Sequence, residues 1–465
     1  MANKNLLTEY FKIVQSELMY YYPVITYPLN PNLNLSSTYC FLGRVDPWAD
    51  DANPPVPLQD QKSIKNTFKN MFVIKKLGAD SITPVIKRFD WEINTVYDYY
   101  RDDVNMLAID PIDDPLYMFY IKNSYDQVFK CLWNNNGGPS LNEPIFQPGT
   151  YGTNNVYQGT DGYKWKYMFT VDLGLKNKFM DSTWIPLPVD SFAIGAELSE
   201  QIVGSGNIDV INVTNNGSGY KPANSQVFVT ITGDGTGAAG TAVFDTANGT
   251  ITDIVVTNPG KNYTYANVTI TTANSMIGSG ATAIAPISPI GGHGSDSTSE
   301  LGAIHVMFVC SFDGTENGVI PGLINNNITY HQVGLLVNPS DYSSAPNPAN
   351  GQIYQLTTDL QVSPGYGEYD SFEIVYQGDP NNPSFQGTVL HFHPDTNMVY
   401  VINTYGNPLT SSSLYSKSSG TTRTLLSHTK PNIVPYTGYV TYVQNMSGID
   451  RSIDGVEQFK FVLGY

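Results

Sequence analysis

Two histidines one residue apart are the side chains in this sequence whose types and spacing best suit chemistry. His391 and His393 lie in the run "TVLHFHPD", whose alternation predicts a β-strand, so both imidazoles should point to one face. Asp395 follows within reach, and imidazoles with a carboxylate are a common zinc ligand set. Because no fourth ligand is evident, the pair is a weak metal candidate, and we expect no metal, cofactor or catalytic residue elsewhere.

Two glycine-rich stretches partly match ligand-binding signatures but lack the required context. Residues 235–240, "GTGAAG", match the dinucleotide fingerprint, yet the following residues read as a β-hairpin, whereas a pyrophosphate needs a helix N-terminus. The stretch "GGHGSDSTS" (291–299) resembles a calcium nonapeptide, but it occurs once and has Thr298 where a large apolar residue belongs. We interpret the first as a repeat turn and the second as a glycine hinge between modules.

Signatures of common hydrolases are missing from the sequence, including G-x-S-x-G, H-E-x-x-H and the P-loop. Paired carboxylates are frequent, as at Asp50-Asp51 and Asp102-Asp103. Adjacent side chains on an extended chain point in opposite directions, so such pairs are expected to be solvated loop acids.

The composition favours protein partners. Acids outnumber bases 41 to 24, which gives a formal charge of −17, and this charge disfavours binding to nucleic acid or to anionic membranes. Tyrosine is abundant, with 32 residues, and its amphipathic ring suits protein interfaces or sugar stacking. No apolar run reaches the roughly 18 residues of a membrane span, so we expect a soluble protein made in a cytoplasm. Cys40, Cys131 and Cys310 are predicted to be reduced core residues.

The elements that must position these residues are mostly strands. Apolar residues at three- and four-residue spacing predict helices within 6–18 and 64–72, and short β runs follow from about residue 75. The fold class is therefore mainly β with some α, in a multi-domain α+β protein. We expect an N-terminal α+β core (1–195), a Gly/Thr-rich β insertion (196–296) and a C-terminal β domain (297–465). The last completes the core and carries a hairpin-rich insertion at about 341–430.

The Gly/Thr-rich insertion contains an internal repeat. "INVTNNGSGY" (211–220) returns as "VVTNPGKNY" (255–263), so that Gly217 pairs with Gly260 and Tyr220 with Tyr263 at an offset of 43. Each unit reads as strands joined by glycine-rich turns, which predicts that the two units stack or pair into one small β domain.

Several segments resemble one protein family. "CFLGRVDPWADD" resembles a segment near the start of the baseplate wedge proteins of contractile-tailed, T-even-type bacteriophages, the gene-product-eight family. The similarity continues in order through "VIKRFDW", "VFKCL", "GTDGYKWKYMF", "WIPLPV", "YHQVGLLVNP" and the closing "GYVTYVQNMSGIDRSIDGVEQFKFVLGY". Phe89 interrupts a run that is Arg-Asp-Trp in the family. The glycine-rich repeat and the region from about 341 to 430 look like insertions.

The resemblance implies a non-enzymatic virion protein of the tail baseplate. It implies a homodimer with mixed α/β and β-sandwich-like domains, which links neighbouring wedge proteins and takes part in rearrangement when the tail contracts. Two alternatives stay open. The glycine-rich repeat and aromatic surfaces would suit a receptor- or glycan-binding tail module, and the clustered carboxylates and tyrosines would suit a virion-associated glycosidase.

Within the first resembling segment, five residues are predicted to form a structural corner after a buried strand. Gly43 would permit close backbone approach, Pro47 would rigidify the exit, and Arg44 would pair with Asp46 or a neighbouring acid. Trp48 would bury its ring. Trp48→Ala should then cost about 3 to 5 kcal/mol.

Overall fold

β-strand is the commonest secondary structure of the described chain. The computed structural model describes residues 8–21, 37–110, 114–147, 156–188, 206–220, 227–273, 278–313, 328–343, 348–451 and 456–464. Several sheets, a closed barrel and a few helices confirm a mainly β, multi-domain α+β fold. Cys40, Cys131 and Cys310 are buried free thiols, as predicted.

The helices are short. They are α1 (Glu9–Tyr21), α2 (Gln61–Asn70), α3 (Leu173–Phe179) and α4 (Ser297–Leu301). Both predicted helices are present, but the second ends early because Met71 and Phe72 begin a strand. Asp60 caps α2 by accepting hydrogen bonds from the backbone N–H groups of Lys62 and Ser63 at 3.0 and 2.9 Å.

The strands follow one another along the whole described chain. They are β1 (Thr38–Gly43), β2 (Met71–Lys76), β3 (Ile82–Lys87), β4 (Tyr120–Lys122), β5 (Gln127–Asn134), β6 (Val156–Gln158), β7 (Tyr163–Thr170), β8 (Trp184–Pro186), β9 (Asn212–Ser218), β10 (Val227–Gly233), β11 (Ala239–Asp245), β12 (Thr250–Asn258), β13 (Ala266–Thr272), β14 (Ser279–Ile284), β15 (His305–Asp313), β16 (Thr329–Val337), β17 (Ile353–Gln355), β18 (Thr358–Val362), β19 (Ile374–Asp379), β20 (Asn382–His393), β21 (Met398–Gly406), β22 (Ser413–Ser416), β23 (Thr422–Thr429), β24 (Tyr439–Asp450) and β25 (Val456–Gly464).

The chain divides into two compact units. Unit 1 comprises Met1–Glu17, Thr83–Met307 and Val462–Tyr465, and unit 2 comprises Leu18–Ile82 and Phe308–Phe461. The boundary predicted between residues 195 and 196 lies outside the described residues. The three predicted segments stay a prediction.

Unit 1 contains a four-stranded antiparallel sheet in the order β4-β5-β7-β6. Neighbouring residues of β5 belong to different apolar clusters, Val128 to one and Phe129 to the other, so side chains cover both faces of the sheet. Trp165 is fully buried in the second cluster, stacked on Tyr163. This doubly covered sheet explains why β5 carries apolar residues at adjacent positions.

The glycine-rich part of unit 1 forms three antiparallel strand pairs around its own apolar cluster. β9 of the first repeat pairs with β14 of the second, and β12 of the second pairs with β11 of the first. Ile211 forms a bridge with Ile254, its equivalent at the repeat offset. The two repeats therefore pair into one small β module, as predicted, and each repeat contributes strands that pair with strands of the other.

Unit 2 contains a five-stranded antiparallel sheet and a barrel. The sheet order is β17-β2-β1-β16-β24, and α2 packs Phe68 against the apolar cluster that includes Tyr39 and Phe41. β18 to β23 close the barrel in the order β18-β21-β20-β19-β22-β23. The run "QGTVLHFHPDTNMVYVIN" (386–403) predicts a hairpin, since two alternating stretches flank a Pro-Asp-Thr-Asn turn, and β20 and β21 confirm it. Its closure into a barrel was not predicted, because it depends on pairing across the whole 358–429 range.

Candidate functional site

The predicted corner begins where β1 ends. Strand β1 bulges between Leu42 and Gly43, and a Cβ on Gly43 would lie 3.1 Å from the carbonyl oxygen of Asn70. Arg44 has φ of 54°, a left-handed conformation that is uncommon for a residue with a side chain, and its N–H donates to that same carbonyl at 3.0 Å. The close approach expected at Gly43 is therefore present, and Arg44 turns the chain away from the sheet.

The side chain of Arg44 stacks on Trp48 instead of pairing with an acid. Its guanidinium carbon lies 3.6 Å from the centre of the indole ring, and Nη2 donates to the carbonyl of Pro47 at 3.3 Å. Partial burial lowers the pKa of Arg44, against the opposing effect of the Asp46 and Asp51 carboxylates. Within the described residues Arg44 forms no ion pair, so the predicted pairing with Asp46 or a neighbouring acid is wrong. The guanidinium thus contacts an aromatic face and a carbonyl, while its buried Nε has no hydrogen-bond partner among the described residues.

Trp48 is half-buried, which corrects the prediction of a buried ring. The left-handed turn at Arg44 sends Val45 into the core, where 1% of its surface is exposed, and leaves Trp48 near the surface after the exposed Pro47. The indole Nε1–H donates to the carbonyl of Met446 in β24 at 3.0 Å. Trp48 therefore connects the corner to the edge strand of the sheet.

Asp51 is a partly exposed loop acid, as expected, but its carboxylate also connects the corner to two further segments. One carboxylate oxygen accepts from the backbone N–H of Trp48 at 3.1 Å and lies 3.3 Å from Nε2 of His331. The other accepts from the N–H of Gly448 at 3.1 Å. Hydrogen bonds from Trp48 and Gly448, with His331 beside them, lower the pKa of Asp51. The carboxylate thus joins the corner to β16 and β24.

His331 and Gly448 meet at a bulge in the pairing of β16 with β24. Tyr330 pairs with Ile449 and Gln332 with Asn445, so His331 alone faces three residues of β24. The N–H of His331 donates to the carbonyl of Arg44 at 2.8 Å, and its Nδ1 lies 3.2 Å from the same oxygen. A Cβ on Gly448 would lie 2.7 Å from the methyl group of Thr329 and 2.8 Å from the imidazole, so a larger residue would displace these side chains.

We call these residues the corner cluster: Arg44, Trp48, Asp51, His331, Met446 and Gly448. They come from three sequence segments, "CFLGRVDPWADD", "YHQVGLLVNP" and "GYVTYVQNMSGID", each of which carried the family resemblance. Sequence reasoning named Arg44 and Trp48 but missed the others. Their shared signal was membership of the resembling segments, whereas the contacts between segments depend on strand pairing.

A groove of about 680 Å³ opens beside the corner cluster. Arg44 and Trp48 form part of its wall, together with α2 and β24. Val56 and Leu58 also line it and are 82% and 68% exposed. The corner cluster therefore borders a groove of mixed polarity whose wall includes two exposed aliphatic side chains.

The stretch at 291–299, interpreted as a hinge, is followed directly by a residue of a buried ion pair in unit 1. Glu300 lies 2.8 Å from the ammonium of Lys130 on β5, and both side chains are almost fully buried. Glu300 also accepts from the N–H of Gly294 at 2.7 Å, and His293 lies 3.6 Å from it. Burial would raise the pKa of Glu300, but Lys130 and His293 lower it to about 2. These contacts fix the segment against the sheet.

The repeat residues occupy equivalent positions in the two repeats. Gly217 and Gly260 have φ of 60° and 65°, and a Cβ on either would lie 2.6 Å from a backbone nitrogen of the other repeat. Tyr220 and Tyr263 are buried, and each hydroxyl accepts a hydrogen bond from a backbone N–H of the other repeat at 3.3 Å. Residues 235–240 lead into β11 without a helix, which confirms the interpretation as a repeat turn.

His391 and His393 are neighbours on β20. Their ring centres are 6.2 Å apart, and burial followed by the effect of His393 lowers the pKa of His391. Asp395 is exposed in the following turn. In the part of the chain that the structure describes, no group of three or more His, Cys, Asp or Glu side chains could hold a metal ion.

Comparison with known proteins identified no relative of this chain. No family model matches the chain, and no curated protein is significantly similar to it. Among the described residues, no helix is both long enough and apolar enough to cross a membrane.

Proposed function

We propose that this chain is a structural subunit of the tail baseplate wedge of a contractile-tailed bacteriophage. It binds neighbouring wedge proteins and a second copy of itself, and it takes part in the rearrangement of the baseplate when the tail contracts. Its role is binding, without an enzymatic reaction.

The observation that carries this proposal is the convergence of the resembling segments on the corner cluster. Trp48 donates to Met446, and Asp51 accepts from Gly448, across almost 400 residues of sequence. Chance likeness of short segments would not be expected to place them in hydrogen-bonding contact. The convergence therefore supports a shared architecture, and through it the function implied by the resemblance.

The chemistry of the corner cluster agrees with a structural role. Carboxylate, imidazole and indole groups all bind backbone atoms or one another, and the half-buried ring is covered by a cation. Such a network stabilises a strand edge and a bulge, and it presents the apolar rim of Val56 and Leu58 to the outside. A rigid edge beside an apolar rim is suited to protein association.

The proposal can be tested by removing the chain from a phage that encodes it. Disruption of its gene should give particles or free tails without a complete baseplate, and adding the purified protein to the extract should restore assembly. Complete baseplates and contractile sheaths formed without the chain would contradict the proposal. Complete particles that fail only to attach to cells would favour the receptor-binding alternative instead.

A further inference from the structure

We propose that helix α2 and the cavity beside it form a docking site for an acidic segment of another protein, which inserts one large apolar side chain. Lys62, Lys65 and Lys69 line the exposed face of α2, and Lys430 stands at the cavity mouth. We call these four residues the lysine ridge. The inference goes beyond the baseplate proposal and does not depend on it.

The lysine ridge is positively charged, whereas the protein as a whole is negatively charged. The chain carries −17 overall, but residues 61–79 contain five lysines and no acid. The three lysines of α2 recur at positions i, i+3 and i+7, which places them on one face of the helix, and all three are exposed. None of them forms an ion pair with a carboxylate of the described residues. This face would therefore attract an acidic partner.

The cavity beside the ridge has an apolar floor and no carboxylate in its lining. Its volume is about 260 Å³, and its floor includes the buried side chains of Met71, Leu336, Phe385 and Val401. Small-molecule sites usually measure roughly 300–1,000 Å³, so this cavity is better matched to one aromatic or large aliphatic anchor. Buried anchors of this kind supply much of the affinity of protein interfaces.

The rim of the cavity is suited to recognition of protein. Tyr342 and Tyr436 line it and are 63% and 52% exposed, and amphipathic rings at a rim favour protein contacts. Three prolines, Pro408, Pro431 and Pro435, form part of its wall. Because proline restricts the backbone, the cavity is largely formed before a partner binds.

The occupant is thus an acidic segment with an apolar anchor. A neutral glycan would leave the lysines without partners, and a purely acidic polymer would leave the apolar floor unfilled. Both parts of the site are used only when carboxylates face Lys62, Lys65, Lys69 and Lys430 while one large side chain enters the cavity.

The test uses the full chain and a labelled peptide with one tryptophan flanked by three glutamates on each side. Two matched probes replace the tryptophan by glycine or every glutamate by lysine. The first probe should bind at least tenfold more tightly than either control, and its affinity should fall as salt is raised. Equal binding of the three probes, or equal competition by an acidic polysaccharide, would overturn the proposal.

Variants can distinguish binding at the lysine ridge and its cavity from a general effect of the protein's charge. Lys69→Glu with Lys430→Glu should weaken binding of the acidic probe at least tenfold, and Thr404→Trp, which narrows the cavity mouth, should also weaken it. Lys417→Glu makes the same type of charge change at an exposed barrel residue outside the cavity lining, so it should have little effect. Equal losses in the Lys417 and ridge variants would overturn the proposal.

Self-association provides a second readout. Sedimentation of Lys69→Glu/Lys430→Glu should give the same mass as the unchanged chain, because the occupant is another protein. A smaller mass would overturn the proposal by assigning the ridge to a contact between copies.

Discussion

Trp48→Ala should destabilise unit 2 by about 3 kcal/mol. A fully buried tryptophan covers about 150–250 Å², and the partly exposed ring of Trp48 covers at least about 100 Å² of this, worth roughly 2.5 kcal/mol at about 25 cal/mol per Å². Loss of the hydrogen bond to Met446 adds about 1 kcal/mol, while burial in the unfolded chain reduces the area contribution. Because the ring is only partly buried, the expected loss of stability lies at the bottom of the range of about 3–5 kcal/mol for removing a core aromatic side chain.

Trp48→Phe is the matched control, because it keeps a six-membered ring available to Arg44 and removes the indole N–H together with the rest of the bicyclic ring. Its expected cost is about 2 kcal/mol, with about 1 kcal/mol from the lost hydrogen bond and about 1 kcal/mol from the smaller ring area. The difference of about 1 kcal/mol between the two variants reports the packing contribution of the ring that phenylalanine keeps.

The assay can follow each unit separately. Trp48 is the one tryptophan of unit 2, and the other four of the chain, Trp91, Trp133, Trp165 and Trp184, all belong to unit 1. In both variants, tryptophan fluorescence during guanidinium titration therefore reports on unit 1, while hydrogen exchange of β1, β16 and β24 reports on unit 2. A loss below about 0.5 kcal/mol in Trp48→Ala, or equal losses in the alanine and phenylalanine variants, would refute the reasoning.

Three further predictions concern unit 1. Glu300→Gln should cost about 3–5 kcal/mol because it leaves Lys130 buried without its charge partner, whereas Lys130→Met combined with Glu300→Leu should recover most of that loss in guanidinium titrations. The pKa of Glu300, about 2, lies below its ordinary 4.5, so its stabilisation is present above pH 4.5 and is lost as the pH falls towards 2. Acid titration should therefore destabilise the unchanged chain more than the double variant, and equal acid sensitivity would contradict the assignment. Tyr220→Phe and Tyr263→Phe should each cost about 1 kcal/mol in thermal melts, and a marked inequality would show that the repeats are not energetically equivalent.

The repeat shows what a sequence pattern can predict. The offset of 43 residues predicted two paired repeats, since identical turn glycines and tyrosines at one spacing require similar local structure. The exchange of strands between repeats could not be predicted, because the sequence of β9 does not specify whether it pairs within its own repeat or with β14.

The corner shows where local reasoning fails. The sequence predicted a turn after a buried strand, and Gly43 and Pro47 were sufficient signals for it. The exposure of Trp48 depended on the backbone conformation of Arg44, which no residue preference indicates. The contacts of Asp51 depended on a bulge in β24 that is distant in the sequence.

The buried ion pair was missed for a similar reason. Glycines at 291–294 suggested a hinge, since glycine is the usual residue of flexible connections. Glu300 becomes buried because Lys130, 170 residues earlier in the chain, supplies the opposite charge. Pairing of charges over such distances cannot be read from one sequence.

The most direct test of the structural proposal is electron microscopy of intact tailed particles labelled with an antibody against this chain. The proposal predicts gold label in a ring at the host-facing end of the tail. Label along the fibres would contradict it in favour of an adhesin, and no label on particles opened with denaturant would contradict it altogether.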